Sequence, residues 1–249
     1  KFHFSEKKVS VYESMMTNYY GEALDTLIEF VNINSVYDES TVTPQTPYGK
    51  GVDEALKYIQ KIAEKDEYDV KIIDGRVVEV YFGEKYNPNI AIFAHADVVP
   101  ATGEWESPPF AAEVRDGKLY GRGTSDDKGP AIAAYYALKA LHDNKLLIGY
   151  SVRLVLGGDE ESGSSYMQYY FKEHKAQVPV YGFTPDAAFP LIYGEKGITN
   201  FEATKSVDLG PIVSIKGGAA ANSVIDKVEI KLVKDAAFID YLKAHNIKN

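Results

Sequence analysis

Two apolar runs constrain this chain more than any other feature. Asn89-Ile90-Ala91-Ile92-Phe93-Ala94 leads straight into His95-Ala96-Asp97. Ser151-Val152-Arg153-Leu154-Val155-Leu156 leads into Gly157-Gly158-Asp159-Glu160-Glu161. A run that stays apolar at nearly every position, instead of alternating, reads as a strand buried on both faces, the habit of parallel sheets. A shorter run, residues 180–183, ends at Thr184-Pro185-Asp186. In open α/β sheets, ligand and catalytic groups collect beyond the carboxyl ends of the strands. An imidazole and several carboxylates delivered to one such edge make a metal site, and hydrolysis is its natural chemistry.

The segments between these runs alternate in period. Met15, Tyr19, Leu24, Leu27, Ile28 and Val31 fall at helical spacing, which predicts a helix over 11–33. A polar loop over 34–50 precedes a second helix, 52–63. Residues 69–73 and 77–82 read as a strand pair turned by Asp74-Gly75, and residues 114–120 as a hairpin around Asp116-Gly117. An alanine-rich helix is expected over 130–141 with Pro130 in its first turn, and another over 164–174. The fold class is therefore α/β, a mixed, largely parallel sheet with helices on both faces. After residue 205 the character changes. Strands over 211–215 and 227–233 and a helix over 236–245 carry no acidic or imidazole cluster. We place a boundary within 196–210, giving a metal-binding domain over 1–200 and the start of a smaller α+β domain over 201–249.

Composition narrows the function. With 36 acidic against 27 basic residues, net charge −9, the chain lacks the basic surface that non-specific nucleic-acid binding needs. Cysteine is absent, which removes disulfides and thiolate metal sites and fits a cytoplasmic protein. No run approaches the roughly 18 apolar residues of a membrane span, so no membrane partner is expected.

The chemistry follows from the clustered residues. His95 and Asp97 are spaced to point the same way on a strand, and a carboxylate is a common partner for the second nitrogen of a metal-bound imidazole. In Gly121-Arg122-Gly123-Thr124-Ser125-Asp126-Asp127-Lys128-Gly129-Pro130, either aspartate has the reach to bridge two cations, although for Asp127 a helix-capping role is the better reading. Glu160 and Glu161 are adjacent and so point differently. One suits metal binding, and the other suits taking a proton from a metal-activated water. Asp186 is another acid at a strand end. No Gly-x-Ser-x-Gly elbow, phosphate loop or dinucleotide fingerprint competes.

The joint order of His-x-Asp, Gly-Arg-Gly-x-x-Asp, Asp-Glu-Glu and Pro-Asp resembles the M20 family of zinc aminoacylases, carboxypeptidases and dipeptidases. The bacterial Xaa-His dipeptidases of the PepV type are the nearest group. Further stretches of likeness are 48–56, His95 to Pro100, Trp105 with Pro109-Phe110, and 182–187 through Gly194-Glu195-Lys196-Gly197. The resemblance implies a zinc-exopeptidase-like catalytic domain followed by the start of a lid, with two zinc ions per complete site, manganese or cobalt being able to substitute. By position, it implies that His95 and Asp186 hold one ion, Glu161 the other, and Asp126 bridges. It also implies that Asp97 orients His95, that Glu160 is the general base, and that Asp126-Asp127 is a cis peptide. The substrate implied is a dipeptide or short peptide. An N-acyl amino-acid deacylase and a non-catalytic module that kept the fold are the alternatives, and Glu160-Glu161-Ser162 with 194–197 favours the dipeptidase. Family members complete the second ion's site with a downstream histidine. His3, His142, His174 and His245 match no such motif, so the expectation is an incomplete form with reduced or no activity.

Overall fold

The computed structural model describes residues 6–83, 89–188, 190–199, 201–206, 210–218, 224–225, 227–233 and 236–245. The chain divides into two compact units. One comprises Lys1–Ala101 with Trp105–Ile192, and the other Thr102–Glu104 with Tyr193–Asn249.

The first unit is built on a five-stranded mixed sheet of β1 (Asp69–Ile73), β2 (Val77–Gly83), β3 (Asn89–His95), β6 (Ser151–Gly157) and β7 (Tyr181–Phe183). The order is β1-β2-β6-β3-β7. Strands β6, β3 and β7 run parallel, with Ile90 level with Val152 and Tyr181, so their carboxyl ends share one edge. Strand β2 is antiparallel to both β1 and β6. A separate hairpin pairs β4 (Glu113–Arg115) with β5 (Lys118–Tyr120).

Alternation along each strand decides what each face meets. Val78, Val80, Phe82, Ile92, Leu154 and Leu156 are buried in one core with α3 (Lys50–Lys65) and α4 (Lys128–Asp143). Helix α3 contributes Val52, Ala55, Leu56, Ile59 and Ala63, spaced to make one stripe. The opposite face carries Arg153 and Phe93 and receives α5 (Ser165–Gln168) with the π-helical turn Tyr169–Glu173. Phe171 lies 6.1 Å from Phe93 there. Arg153, the one charge in an otherwise apolar strand, is buried. It donates to the Tyr170 hydroxyl at 2.8 Å and the Gln177 carbonyl, and lies 3.6 Å from the buried Glu79 carboxylate.

Two helical expectations need correction. The stretch over 11–33 is two helices, α1 (Glu6–Thr17) and α2 (Tyr20–Val31). At the break the amides of Asn18 and Tyr19 reach back only three residues, to Met15 and Met16, while the Tyr19 hydroxyl is tied to Asp143 at 2.9 Å. The expected helix over 164–174 is one α-turn that widens into the π-turn. In the second unit, β8 (Ile212–Gly217) and β9 (Val228–Leu232) form an antiparallel pair with a register irregularity between Ile212 and Ser214, and α6 spans Ala236–Ala244. No helix among the described residues is long and apolar enough to cross a membrane.

Candidate metal centre

Each functional group reaches the carboxyl edge of the sheet by a short path. His95 is the last residue of β3, and Ala96 N–H continues the ladder to the Gly157 carbonyl at 2.8 Å. Glu160 and Glu161 follow β6 within a turn, Asp186 follows β7, and Asp126 precedes α4. The Asp126–Asp127 peptide is cis.

The structure brings His95, Asp126 and Asp186 together, with one ligand atom from each within 4.8 Å of the others. His95 Nε2 lies 3.0 Å from Asp126 Oδ1, 3.4 Å from Asp186 Oδ2 and 3.9 Å from Glu160 Oε2. The imidazole is buried, whereas Asp126 is exposed and Asp186 and Glu160 are partly so. The ring's other nitrogen, Nδ1, is 2.9 Å from the backbone carbonyl of Asp97 and 3.4 Å from its carboxylate, so Asp97 holds the ring, the carbonyl by the shorter contact. This leaves Nε2 as the ring nitrogen that faces the acids, the one placed to serve a metal ion. The Asp97 carboxylate points to the neighbouring strand end and accepts from the N–H groups of Glu160 and Glu161, both at 3.0 Å.

Electrostatics at the edge is strained in one direction. Burial raises the Glu161 carboxyl to about 7, with the Asp126 charge adding to it. Burial also raises Glu160 and Asp186, with His95 partly offsetting the rise in each. Burial disfavours the charged His95 ring, but the hydrogen bond and charge of the Asp97 carboxylate, with the Asp127 charge and the Asp97 carbonyl, outweigh it and raise its pKa to about 10. A site of one imidazole and several crowded carboxylates is what a divalent cation relieves, and nitrogen and oxygen donors of this kind are its ligands. The donor set therefore fits a metal ion.

Four supporting residues escape sequence reasoning. Asp127 makes no side-chain cap to α4. Its buried carboxylate instead accepts from His95 N–H at 3.0 Å, and burial raises its pKa to about 7. Lys128 is buried and donates to the Phe30 and Ile33 carbonyls at 3.0 and 2.7 Å, closing the end of α2. Ser35 donates to the Ala96 carbonyl at 2.6 Å, steadying the segment after β3. Asp159 accepts from Ser165 N–H, Ser165 Oγ and Tyr166 N–H, so it anchors α5 beside the acidic turn. The only local signal for them was their place inside the two motifs or, for Ser35, none. His142 and His174 stand outside the cluster. The first accepts from Gly83 N–H, and the second stacks on Tyr170.

A cavity of about 430 Å³ opens beside the cluster, walled by His95, Glu160 and Asp186 and by Phe93, Met167 and Phe183. A larger apolar groove of about 1350 Å³ between α1, α2, the β4–β5 hairpin and α4 contains none of these acids.

A parallel-edged α/β sheet with an imidazole and carboxylates at its carboxyl end defines the class as a peptidase-like catalytic fold. Known proteins bear this out. Residues 91–242 match the model of peptidase family M20/M25/M40, and the chain belongs to that family. It is 40% identical over 207 residues to "Putative dipeptidase YtjP" of Bacillus subtilis (strain 168), covering 81% of this chain and 44% of that protein. It is 35% identical over 252 residues to "Putative dipeptidase SH1171" of Staphylococcus haemolyticus, covering 96% of this chain and 53% of that one. The chain thus spans about half the length of the curated relatives it matches. Among solved structures, the M20 family metallo-carboxypeptidase Sso-CP2 from Sulfolobus solfataricus superposes with TM-score 0.57 at 28% identity, covering 67% of this chain and 37% of that one. Human carnosine dipeptidase 1 shares the fold, with TM-score 0.60 at 23% identity, over 72% of this chain and 41% of that one.

Proposed function

We propose that this chain carries the metal-binding half of a hydrolase that cleaves the peptide bond of dipeptides or short peptides. The observation that carries the reading is the His95, Asp126 and Asp186 cluster with Glu160 Oε2 3.9 Å from His95 Nε2. The dipeptidase names of the relatives favour a dipeptide over an acylated amino acid. In this reading His95 and Asp186 would hold one zinc ion and Glu161 a second, with Asp126 able to serve both. Manganese and cobalt accept the same donors. Such ions, when bound, supply Lewis acidity toward the scissile carbonyl. The chain's own residues do the rest. Glu160 is the general base: its raised pKa brings it closer to the neutral range in which a carboxylate takes up and returns a proton efficiently. Asp127 and the Asp97 carbonyl fix the backbone and ring of His95. The cavity beside the cluster gives the substrate side chain an apolar wall of Phe93, Met167 and Phe183.

The test is zinc-loaded protein against a panel of dipeptides and acetylated amino acids, repeated with Glu160→Gln. Hydrolysis of dipeptides should fall by at least about a hundredfold, as expected when a general base is lost, while bound zinc per chain stays unchanged. Hydrolysis that survives the substitution removes Glu160 from the role, and preference for acetylated amino acids replaces the dipeptidase reading with a deacylase.

A further inference from the structure

We propose that Tyr48 is a positioning residue that clasps both ends of the turn presenting Glu160 and Glu161, and that Arg76 aims its hydroxyl. Tyr48 belongs to the loop before α3 and is buried. Its ring covers Gly158, the residue that enters the turn: a Cβ placed there would lie 2.7 Å from Tyr48 Cδ2. Its hydroxyl lies 3.2 Å from Ser165 Oγ, at the residue that leaves the turn. The turn between needs an outside hold. Ser162 N–H to the Asp159 carbonyl and Gly163 N–H to the Glu160 carbonyl are both long, at 3.3 Å. Ser164 N–H to the Asp159 carbonyl is short, at 2.7 Å, but Gly163 and Ser164 both have positive φ and extend no helix backwards.

The hydrogen bonds through Tyr48 run one way. Arg76 Nη1 donates to the Tyr48 hydroxyl at 3.2 Å, and Ser165 Oγ donates to Asp159 Oδ2 at 2.5 Å. A guanidinium only donates and a carboxylate only accepts. Ser165 therefore spends its one proton on Asp159, and Tyr48, which accepts from Arg76, gives its own to Ser165. The distance between the two hydroxyls allows either to donate, and the charged ends decide. Links ordered from a cation to an anion polarise one another. Arg76 is held in turn: its guanidinium lies 4.7 Å from the Tyr169 ring centroid, and the Tyr169 hydroxyl donates to Asp74 at 2.6 Å. The hold on the acidic turn thus starts between β1 and β2, at Asp74 and Arg76, and ends on Asp159. No bound ion takes part in it. Only its consequence for hydrolysis, that Tyr48 helps to aim Glu160, rests on the proposed hydrolase role.

The test is amide hydrogen exchange, read by nuclear magnetic resonance on the full 249-residue chain with no metal or substrate added. Tyr48→Phe keeps the ring over Gly158 and removes only the hydroxyl. The amides of Glu160, Glu161 and Ser162 should exchange about two- to tenfold faster, the worth of one hydrogen bond, while the β2–β6 ladder keeps the parent's rates. Arg76→Met, which leaves Tyr48 in place, should give the same pattern. In the double variant the two effects should not add, because both cut one chain. Turn amides that exchange as in the parent, or two effects that add, overturn the proposal. Ladder amides that quicken along with the turn overturn it too, by making Tyr48 a packing residue only. In zinc-loaded protein with a dipeptide, Tyr48→Phe should lower kcat and leave KM unchanged, and a change confined to KM removes Tyr48 from aiming Glu160. A parent chain that cleaves no dipeptide counts against the hydrolase role alone, since the exchange rates do not depend on turnover.

Discussion

Gly157 ends β6 directly beneath the Tyr166 ring, and a side chain added there would be driven into that ring. Tyr166 is itself buried, and its amide is held by Asp159, so it has little room to give way. Gly157→Val is expected to destabilise the chain by roughly 1–3 kcal/mol in urea unfolding, the usual cost of overpacking. A midpoint equal to that of the parent would show that the ring swings aside. The neighbouring aspartates show how residue type underdetermines role. Asp126 and Asp127 are consecutive, yet the first faces His95 Nε2 from an exposed position and the second is buried against His95 N–H. A helix-cap rule written for Asp127 describes its place at the start of α4 but not where its carboxylate goes.

At the scale of elements, the turn after β6 and helix α5 behave as one device. Asp159 gathers three donors from Ser165 and Tyr166 across a six- or seven-residue reach. Asp159→Ala leaves those donors without their charged acceptor and should lower stability by about 2–4 kcal/mol, read as a drop in the urea midpoint. An effect within about 0.5 kcal/mol, the range of an ordinary surface change, would mean that water replaces the carboxylate without loss. Helix α5 is only four residues before the π-turn takes over, too short to stand without this anchor. The break between α1 and α2 has the same origin. The apolar spacing continues through Asn18 and Tyr19, but the Tyr19 side chain is committed to Asp143 at the end of α4. A period of 3.6 in the sequence reports which face is apolar, and it is silent on where tertiary contacts bend the axis.

At the scale of the whole molecule, the 19 tyrosines predict an alkaline limit to stability. Burial raises the hydroxyls of Tyr136 and Tyr81 to about 12, with the Glu79 hydrogen bond adding to the rise at Tyr81, and raises Tyr58, Tyr68, Tyr135, Tyr166 and Tyr170 as well. In the unfolded chain these phenols ionise near 10. Between those values the folded chain holds more protons than the unfolded one, so stability falls as pH rises through that window. Urea midpoints should decline from about pH 10 to about pH 12, with phenolate absorbance of the buried set appearing only on unfolding. Ordinary phenolate titration of all tyrosines in folded protein would contradict this. The sequence by itself determined the strand runs, their parallel sense, and the residue types waiting at their ends, because period and burial follow directly from side-chain chemistry along a local segment. That was enough for the mixed α/β fold and for nominating His95, Asp97, Asp126, Glu160, Glu161 and Asp186. The tertiary structure decided how these groups divide the work. That the Asp97 carboxylate turns to Glu160 and Glu161, that Asp127 meets His95 N–H and that Lys128 closes α2 are contacts between residues 32 to 98 positions apart. Such contacts depend on how strands and helices pack, and no local pattern encodes them.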